Sequence, residues 1–330
     1  MNDISFPRRR ALMLAGAGAA LQASLPGTVR AQAAFPSQPI RMVLPFPAGG
    51  ASDLAARQLG QRLATTLGQT VVIDNRPGAD GMIASQEVAR AAPDGHTIYY
   101  ATASAFSYVP IVRRNPGYSL SEFAPLTRFV SYTFFVGVHE SVPGNTLKEV
   151  LDHVRANPGK YSYGSGHSSG IVGMAQLMLD SKTEMVHVPY KGESQAAVDL
   201  IAGRIQLMIV SPAILPQIMK DGKVRPMCVL LPQRSPVLPD VPTIEECGLP
   251  LMKMSLWGGF FVPAKTPAPI IDRLSKELGA AMNHPEIKAS LDKLGLPTHA
   301  CTPEEFATFL QEQAVAWRQA IETAKIPIES

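Results

Sequence analysis

Two stretches far apart in this chain follow one plan, and that plan confines the fold. The first opens with Ile40-Arg41-Met42-Val43-Leu44, an apolar run of strand length. Pro45-Phe46-Pro47-Ala48-Gly49-Gly50-Ala51 follows as a tight loop, and Ser52 or Asp53 caps a helix in which Leu59, Leu63 and Leu67 recur every four residues. Gly68 stops that helix and Val71-Val72-Ile73 is the next strand. The second stretch starts at Lys160-Tyr161-Ser162-Tyr163, passes through the loop 164–170 and a helix carrying Met174, Leu177 and Met178, and closes on the strand Met185-Val186-His187-Val188. Strand, loop, helix and strand make the βαβ unit of a parallel sheet. Such sheets bind ligands beyond the carboxyl ends of their strands, against helix N-termini. One glycine-rich loop in each half predicts two lobes facing each other.

Later segments agree with an α/β chain. Ala196–Ile201 reads as a helix stopped by Gly203, and Ile205–Val210 and Val224–Leu231 read as strands. Arg234–Pro242 is proline-rich, a loop or crossing segment. After Pro263 the pattern turns helical over 271–282, 285–294 and 303–324, the last placing Phe306, Leu310, Trp317 and Ile321 on one core-facing stripe.

Residues 1–33 are set apart from the fold. Arg8-Arg9-Arg10, a short apolar run and Ala31-Gln32-Ala33 make an export signal with its cleavage site, of twin-arginine type or a basic Sec type. The apolar run is too short and glycine-rich for a membrane anchor. The signal also carries the charge: the full chain is +3, from 30 Lys+Arg and 27 Asp+Glu. Residues 1–33 hold four of those cations (Arg8, Arg9, Arg10, Arg30) and one of the acids (Asp3), which leaves 26 of each sign. A neutral mature chain gives no reason to expect nucleic acid or an anionic membrane surface as partner. Any anion must be attracted by local geometry. Cys228, Cys247 and Cys301 form an odd set without a C-x-x-C, and the seven histidines show no metal-ligand spacing. Neither a metal nor a cofactor is expected.

Three loops could carry chemistry. In the loop 45–53, Gly49 and Gly50 uncover backbone N–H groups before a helix, which suits an anion or simply a turn. No Gly-Lys-Ser/Thr follows, so this is not a nucleotide-binding P-loop. Asn75-Arg76-Pro77-Gly78-Ala79-Asp80-Gly81 offers Arg76 either to a carboxylate or to solvent. Gly166-His167-Ser168-Ser169-Gly170 formally matches the G-x-S-x-G nucleophile elbow of α/β-hydrolases, with Ser168 as nucleophile. The preceding strand is too polar for that elbow, and no His-Gly-Gly-Gly motif is present. The alternative is a donor-rich, uncharged cradle of Ser165, Ser168 and Ser169 hydroxyls and N–H groups at a helix start.

Taken together these motifs resemble the tripartite tricarboxylate transporter receptor family, the Bug or TctC-like periplasmic solute-binding proteins. Phe35–Arg41 is similar to the family's mature start, and Pro45–Asp53 to its P-F-x-x-G-G-x-x-D loop. Asn75–Ala79, Ala92–Thr97, His187–Gly192 and Ser235–Thr243 complete the set. The resemblance implies an α/β fold of two-lobed periplasmic-binding-protein (Venus-flytrap, type II-like) form, each lobe a mixed, mainly parallel sheet flanked by helices. It further implies a monomer without catalytic activity that closes on a small organic carboxylate in the periplasm, working with the membrane components of a tripartite tricarboxylate transporter. An orphan receptor feeding a sensory system is the alternative, separable by its neighbouring genes.

The first lobe would span 34–138 and 255–330, and the second 139–254. Implied ligand contacts are Phe46, Pro47, Ala48, Gly49, Gly50, Ser52 and Asp53 in the first lobe. Thr102 and Ser104 follow strand 98–101. The second lobe supplies Ser165, Gly166, His167, Ser168, Ser169, Gly170, Tyr190 and Lys191. The second-lobe loop departs from the family's S-P-G-x-G-S-x-x-H, with Gly173 where the histidine stands. Asp80 replaces a glycine of N-x-P-G-A-G-G, and Gln206 an aspartate. Asp80 is expected at the cleft rim, where facing inward would favour a ligand with a positive group.

Overall fold

The computed structural model describes residues 35–328, so the expected export signal lies outside the described residues. Two five-stranded sheets organise the chain. The first contains β1 (Ile40–Leu44), β2 (Val71–Asn75), β3 (Thr97–Thr102), β4 (Phe123–Ser131) and β10 (Trp257–Pro263) in the order β2-β1-β3-β10-β4. The second contains β5 (Phe135–His139), β6 (Ser162–Ser165), β7 (Val186–Pro189), β8 (Leu207–Val210) and β9 (Val224–Val229) in the order β7-β6-β8-β5-β9. Both follow one scheme. Three strands run parallel, and the fourth position is held by a strand antiparallel to both neighbours: β10 in the first sheet and β5 in the second. The mixed, mainly parallel sheet is therefore observed in each lobe.

Eight helices of eight residues or more cover these sheets among the described residues. They are α1 (Ala51–Leu67), α2 (Met82–Ala89), α3 (Leu147–Arg155), α4 (Ser168–Ser181), α5 (Glu193–Ile201), α6 (Ala268–Met282), α7 (Pro285–Lys293) and α8 (Pro303–Thr323). The four-residue leucine rhythm of α1 buries Leu59 and Leu63 completely against Ile40, Met42 and Leu278. Each such burial stabilises by about 1.5–3 kcal/mol. Gly68 ends α1 in the left-handed conformation, as expected. The cap at its other end differs from expectation: Gly50 occupies it without a side-chain bond, and Ser52 and Asp53 lie inside the first turn. The stripe of α8 packs Phe306 and Trp317 with Trp257 and Phe261 on the opposite face of the first sheet. In the second lobe the two sheet faces build separate cores, one around Val136, Leu177 and Ile209 and one around Phe135, Leu200 and Met208.

The lobe boundary lies earlier than residue 138. Because Phe135–His139 pairs with β8 and β9, the chain crosses at Tyr132-Thr133-Phe134. It returns before Trp257, and the two crossings are tied by Tyr132 N–H donating to Leu256 O at 2.8 Å. A short apolar run buried on both faces carries no period that reveals its sheet, so β5 could not be placed from local pattern.

Candidate functional site

Helices α1 and α4 start at the carboxyl ends of β1 and β6, and both N-termini border the cleft between the lobes. The first-turn N–H groups of each helix have no intrahelical acceptor. On the first lobe, the loop 46–53 is shaped from beneath by Asp53, which is 1% exposed. Its carboxylate accepts the Gly49 N–H and Arg57 Nε, both at 2.9 Å, and Asn75 Nδ2 at 2.9 Å. Asn75 also donates to Phe46 O at 3.0 Å. Burial pushes the Asp53 carboxyl up, but Arg57, the Gly49 N–H and Asn75 outweigh it and hold it below the usual carboxylate range. Asp53 thus holds the loop's shape, with its oxygens spent on the protein.

On the second lobe each residue of the 165–170 loop has its own task. Ser165 Oγ lies 2.6 Å from His187 Nε2, and His187 stacks on Tyr163 with ring centroids 4.8 Å apart. Gly166 is required by close approach: a Cβ there would lie 2.3 Å from Glu193 N and from Gly192 C. His167 caps α4, its Nδ1 accepting the Gly170 N–H at 2.9 Å. An Nδ1 that accepts places the ring hydrogen on Nε2. Burial holds His167 below the ordinary imidazole range, against the opposing fields of Glu193 and Asp80, so the ring is neutral at neutral pH. That Nε2–H is buried and has no partner.

A cavity of about 550 Å³, lined by Arg128, Arg234 and Lys253 among others, shares Tyr132 with two smaller ones that occupy the cleft. The smaller, about 230 Å³, is lined by Phe46, Thr102, Ser104, Tyr132, Phe134, His167, Ser169 and Trp257 among others. The larger, about 270 Å³, lies beyond Phe46, Tyr132 and Phe134, against Pro47, Gly50, Ser52, Glu193, Leu294 and Leu296. No lysine or arginine lines either one. Glu193 is engaged by Ser211, whose hydroxyl donates to it at 2.7 Å. Three buried polar atoms without partners belong to cleft-lining residues: His167 Nε2, Trp257 Nε1 and Thr133 Oγ1. A buried donor without an acceptor costs about 1–3 kcal/mol. Each of the three belongs to a residue that borders the cleft and is itself shielded from solvent.

Of the residues expected at the site, Phe46, Pro47, Gly50, Ser52, Thr102, Ser104, His167 and Ser169 line these cavities. Ser168 reaches across the cleft, within 2.9 Å of Ser104 Oγ, and donates to Asp80 Oδ1 at 3.1 Å. Asp80 is exposed at the rim. Ala48, Gly49, Asp53, Ser165, Gly166 and Gly170 support the loops and line neither cavity. Tyr190 is turned onto its own lobe, donating to Asp199 at 2.7 Å, and burial with that bond pushes its phenol up to about 12. Lys191 is exposed and lines neither cavity. Gln206 serves the second sheet's edge, accepting the Ser162 N–H at 2.8 Å. Sequence reasoning missed Tyr132, Thr133, Phe134, Leu256 and Trp257, all at the two crossings. A tryptophan opening an apolar run, Trp257-Gly258-Gly259-Phe260-Phe261, was the available signal for the second crossing.

Two α/β lobes joined by paired crossings, with a cleft between them, are the architecture of a periplasmic solute-binding protein. The sequence profile of the tripartite tricarboxylate transporter family receptor matches residues 55–326, and the chain belongs to that family. A UPF0065 protein from the tcbD–tcbE intergenic region of Pseudomonas sp. (strain P51) is 36% identical over 319 residues, covering 95% of this chain and 94% of that protein. The solved structure of the periplasmic binding protein BugD is 32% identical with a TM-score of 0.74, covering 89% of this chain and 99% of that one. Rpa4515 of R. palustris, solved with adipate, is 29% identical with a TM-score of 0.78 over 89% of this chain and 99% of its own. The family is one of substrate-binding receptors.

Proposed function

We propose that this chain is a periplasmic receptor that captures a small organic carboxylate between its lobes and delivers it, as a monomer, to the membrane components of a tripartite tricarboxylate transporter. The observation that carries the reading is the set of buried, unpartnered polar groups on His167, Trp257 and Thr133 beside two cavities that no lysine or arginine lines. Hydrogen bonds to a charged group contribute about 1.5–3 kcal/mol each, so a few neutral donors hold one carboxylate. Helix N-termini on both sides add favourable dipoles. Phe46, Phe134, Leu294 and Leu296 offer apolar surface to the carbon skeleton. The adipate bound by Rpa4515 is a ligand of this chemical kind.

A receptor role needs no nucleophile, and the hydroxyl chemistry accords with that. The Ser168 hydrogen is given to Asp80 and no imidazole is among its partners. Within this loop the serine bonded to a histidine is Ser165, held 3% exposed inside the second lobe.

Native mass spectrometry of the purified protein, followed by thermal unfolding against a panel of carboxylates, tests the proposal. A true ligand raises the midpoint; at a hundred times Kd the stabilisation is about 2.7 kcal/mol. Trp257→Phe and His167→Phe each weaken that ligand's binding by more than any loss of stability measured on the unliganded protein accounts for. A panel without any stabilising acid, or affinity untouched by both substitutions, would overturn it. The sensory alternative is decided by whether deletion of the gene abolishes uptake or only a transcriptional response.

A further inference from the structure

Cys228 and Cys247 lie 19 positions apart in sequence and meet in the second lobe. Cys228 sits in β9 and is wholly buried, while Cys247 is half-buried in the segment returning from the proline-rich crossing. Backbone pairing produces the meeting. Val229 bridges Thr243 in parallel, the Val229 N–H donates to Pro242 O at 2.8 Å, and the Ile244 N–H donates to Val229 O at 3.1 Å. The Cys247 N–H then bonds Thr243 O at 3.1 Å, which turns residue 247 back over the strand. Its Sγ lies 3.9 Å from Met227 O, the carbonyl immediately before Cys228, so the two free thiols share one core. Cys301 is apart from both, in the first lobe under the Arg128 N–H.

We propose that Cys228 and Cys247 form a disulfide when the folded protein meets an oxidising thiol–disulfide couple, stapling the crossing segment to β9. The periplasm is such an environment. Cys247 is the more accessible thiol, and the neighbouring Cys228 holds it below the ordinary thiol range against the effect of burial. Its thiolate attacks one sulfur of the oxidant's disulfide, giving a mixed disulfide and expelling one thiolate. Cys228, losing its proton, then attacks Cys247 Sγ and expels the second thiolate. The two protons lost by the cysteines end on the two expelled thiols, and the oxidant's disulfide has gained two electrons. The bond closes the loop that carries Pro232, Pro236, Pro239 and Pro242.

The test is independent of ligand binding. Purified folded protein is equilibrated in glutathione mixtures of increasing oxidised fraction, then unfolded and alkylated, and its peptides are mapped. In the oxidising mixtures Cys301 alone takes the alkyl group and a linked Cys228–Cys247 peptide is recovered. Cys301→Ala leaves that link unchanged, while Cys247→Ala leaves Cys228 alkylated at every ratio. Three alkylated thiols throughout, or a link through Cys301, would overturn the proposal. Reduction of the linked protein should also lower its midpoint of urea unfolding; an unchanged midpoint would contradict the stapling role.

Discussion

The hydroxyl of Ser104, just past the end of β3 in the first lobe, lies 2.9 Å from the hydroxyl of Ser168, at the start of α4 in the second. Hydrogen counting sets the direction of the bond. Ser168 gives its hydrogen to the Asp80 carboxylate, which only accepts, so Ser104 must donate to Ser168. The relay runs from first lobe to second lobe and back to the first, and it bridges the cleft beside the smaller cavity. It favours the closed arrangement and leaves Ser168 without the base a nucleophile needs.

Breaking the relay should loosen closure rather than abolish any reaction. Ser168→Ala removes one bond of about 1 kcal/mol at each side of the hydroxyl, so ligand affinity falls on the order of five- to thirtyfold. Calorimetric titration measures it. Ester hydrolysis present in the wild type and lost in this variant would restore the nucleophile-elbow reading.

Asp53 carries a different consequence because its ties lie within one lobe. Asp53→Ala leaves the Gly49 N–H, Arg57 and Asn75 without their acceptor and destabilises the first lobe by about 2 kcal/mol or more. Since the native carboxyl is held below its unfolded value, its stabilisation is present above the ordinary carboxylate range and is lost as pH falls through the folded value. Acid unfolding of wild type and Asp53→Asn compares the two; the wild type should show the steeper loss.

Gly166 tests the second-lobe loop by size alone. Gly166→Ala places a methyl group against the backbone of Gly192 and Glu193, where no side chain can yield. Overpacking of this kind costs about 1–3 kcal/mol. The displaced loop should also weaken the ligand, measured as a lower urea midpoint together with a higher Kd.

His299 predicts the pH profile near the hinge. Burial, with Arg128 and Lys288 nearby, lowers its imidazole to about 4 from an ordinary 6.5. Between those values the unfolded chain binds the proton and the native state does not, so stability falls as pH drops from 6.5 to about 4 and levels off below. His299→Gln should flatten that part of the curve. An unchanged slope of urea midpoint against pH in the variant would refute the assignment.

Much of this arrangement was legible along the chain. The rhythm of Leu59, Leu63 and Leu67, the stop at Gly68 and the two βαβ units all reappear where expected. The strands that escaped notice, β4, β5 and β10, find their partners only across long stretches of chain. β10 pairs with β3 and β4 only after the whole second lobe has intervened. Runs such as Phe135–His139, buried at every residue, have no alternation to betray a strand. The boundary at 138 failed for that reason.

The candidate site divides along the same line. Glycine-rich loops at helix starts pointed to Gly50 and Ser169, because helix ends expose N–H groups wherever such loops occur. The family resemblance added Phe46, Ser52 and His167, and all five line the candidate site. Side-chain partners were invisible in advance. Asp53 and Ser165 look like ligand donors or acceptors until Asn75 and His187 are seen to occupy them.

By itself, then, the sequence determined the two-lobe α/β plan and the loops that face each other, since periodicity and turn chemistry act between near neighbours. Only the tertiary structure decided which polar atoms remain unspent in the cleft. That outcome depends on residues 133, 167 and 257 converging through two chain crossings, and on which donor finds an acceptor once water has been excluded.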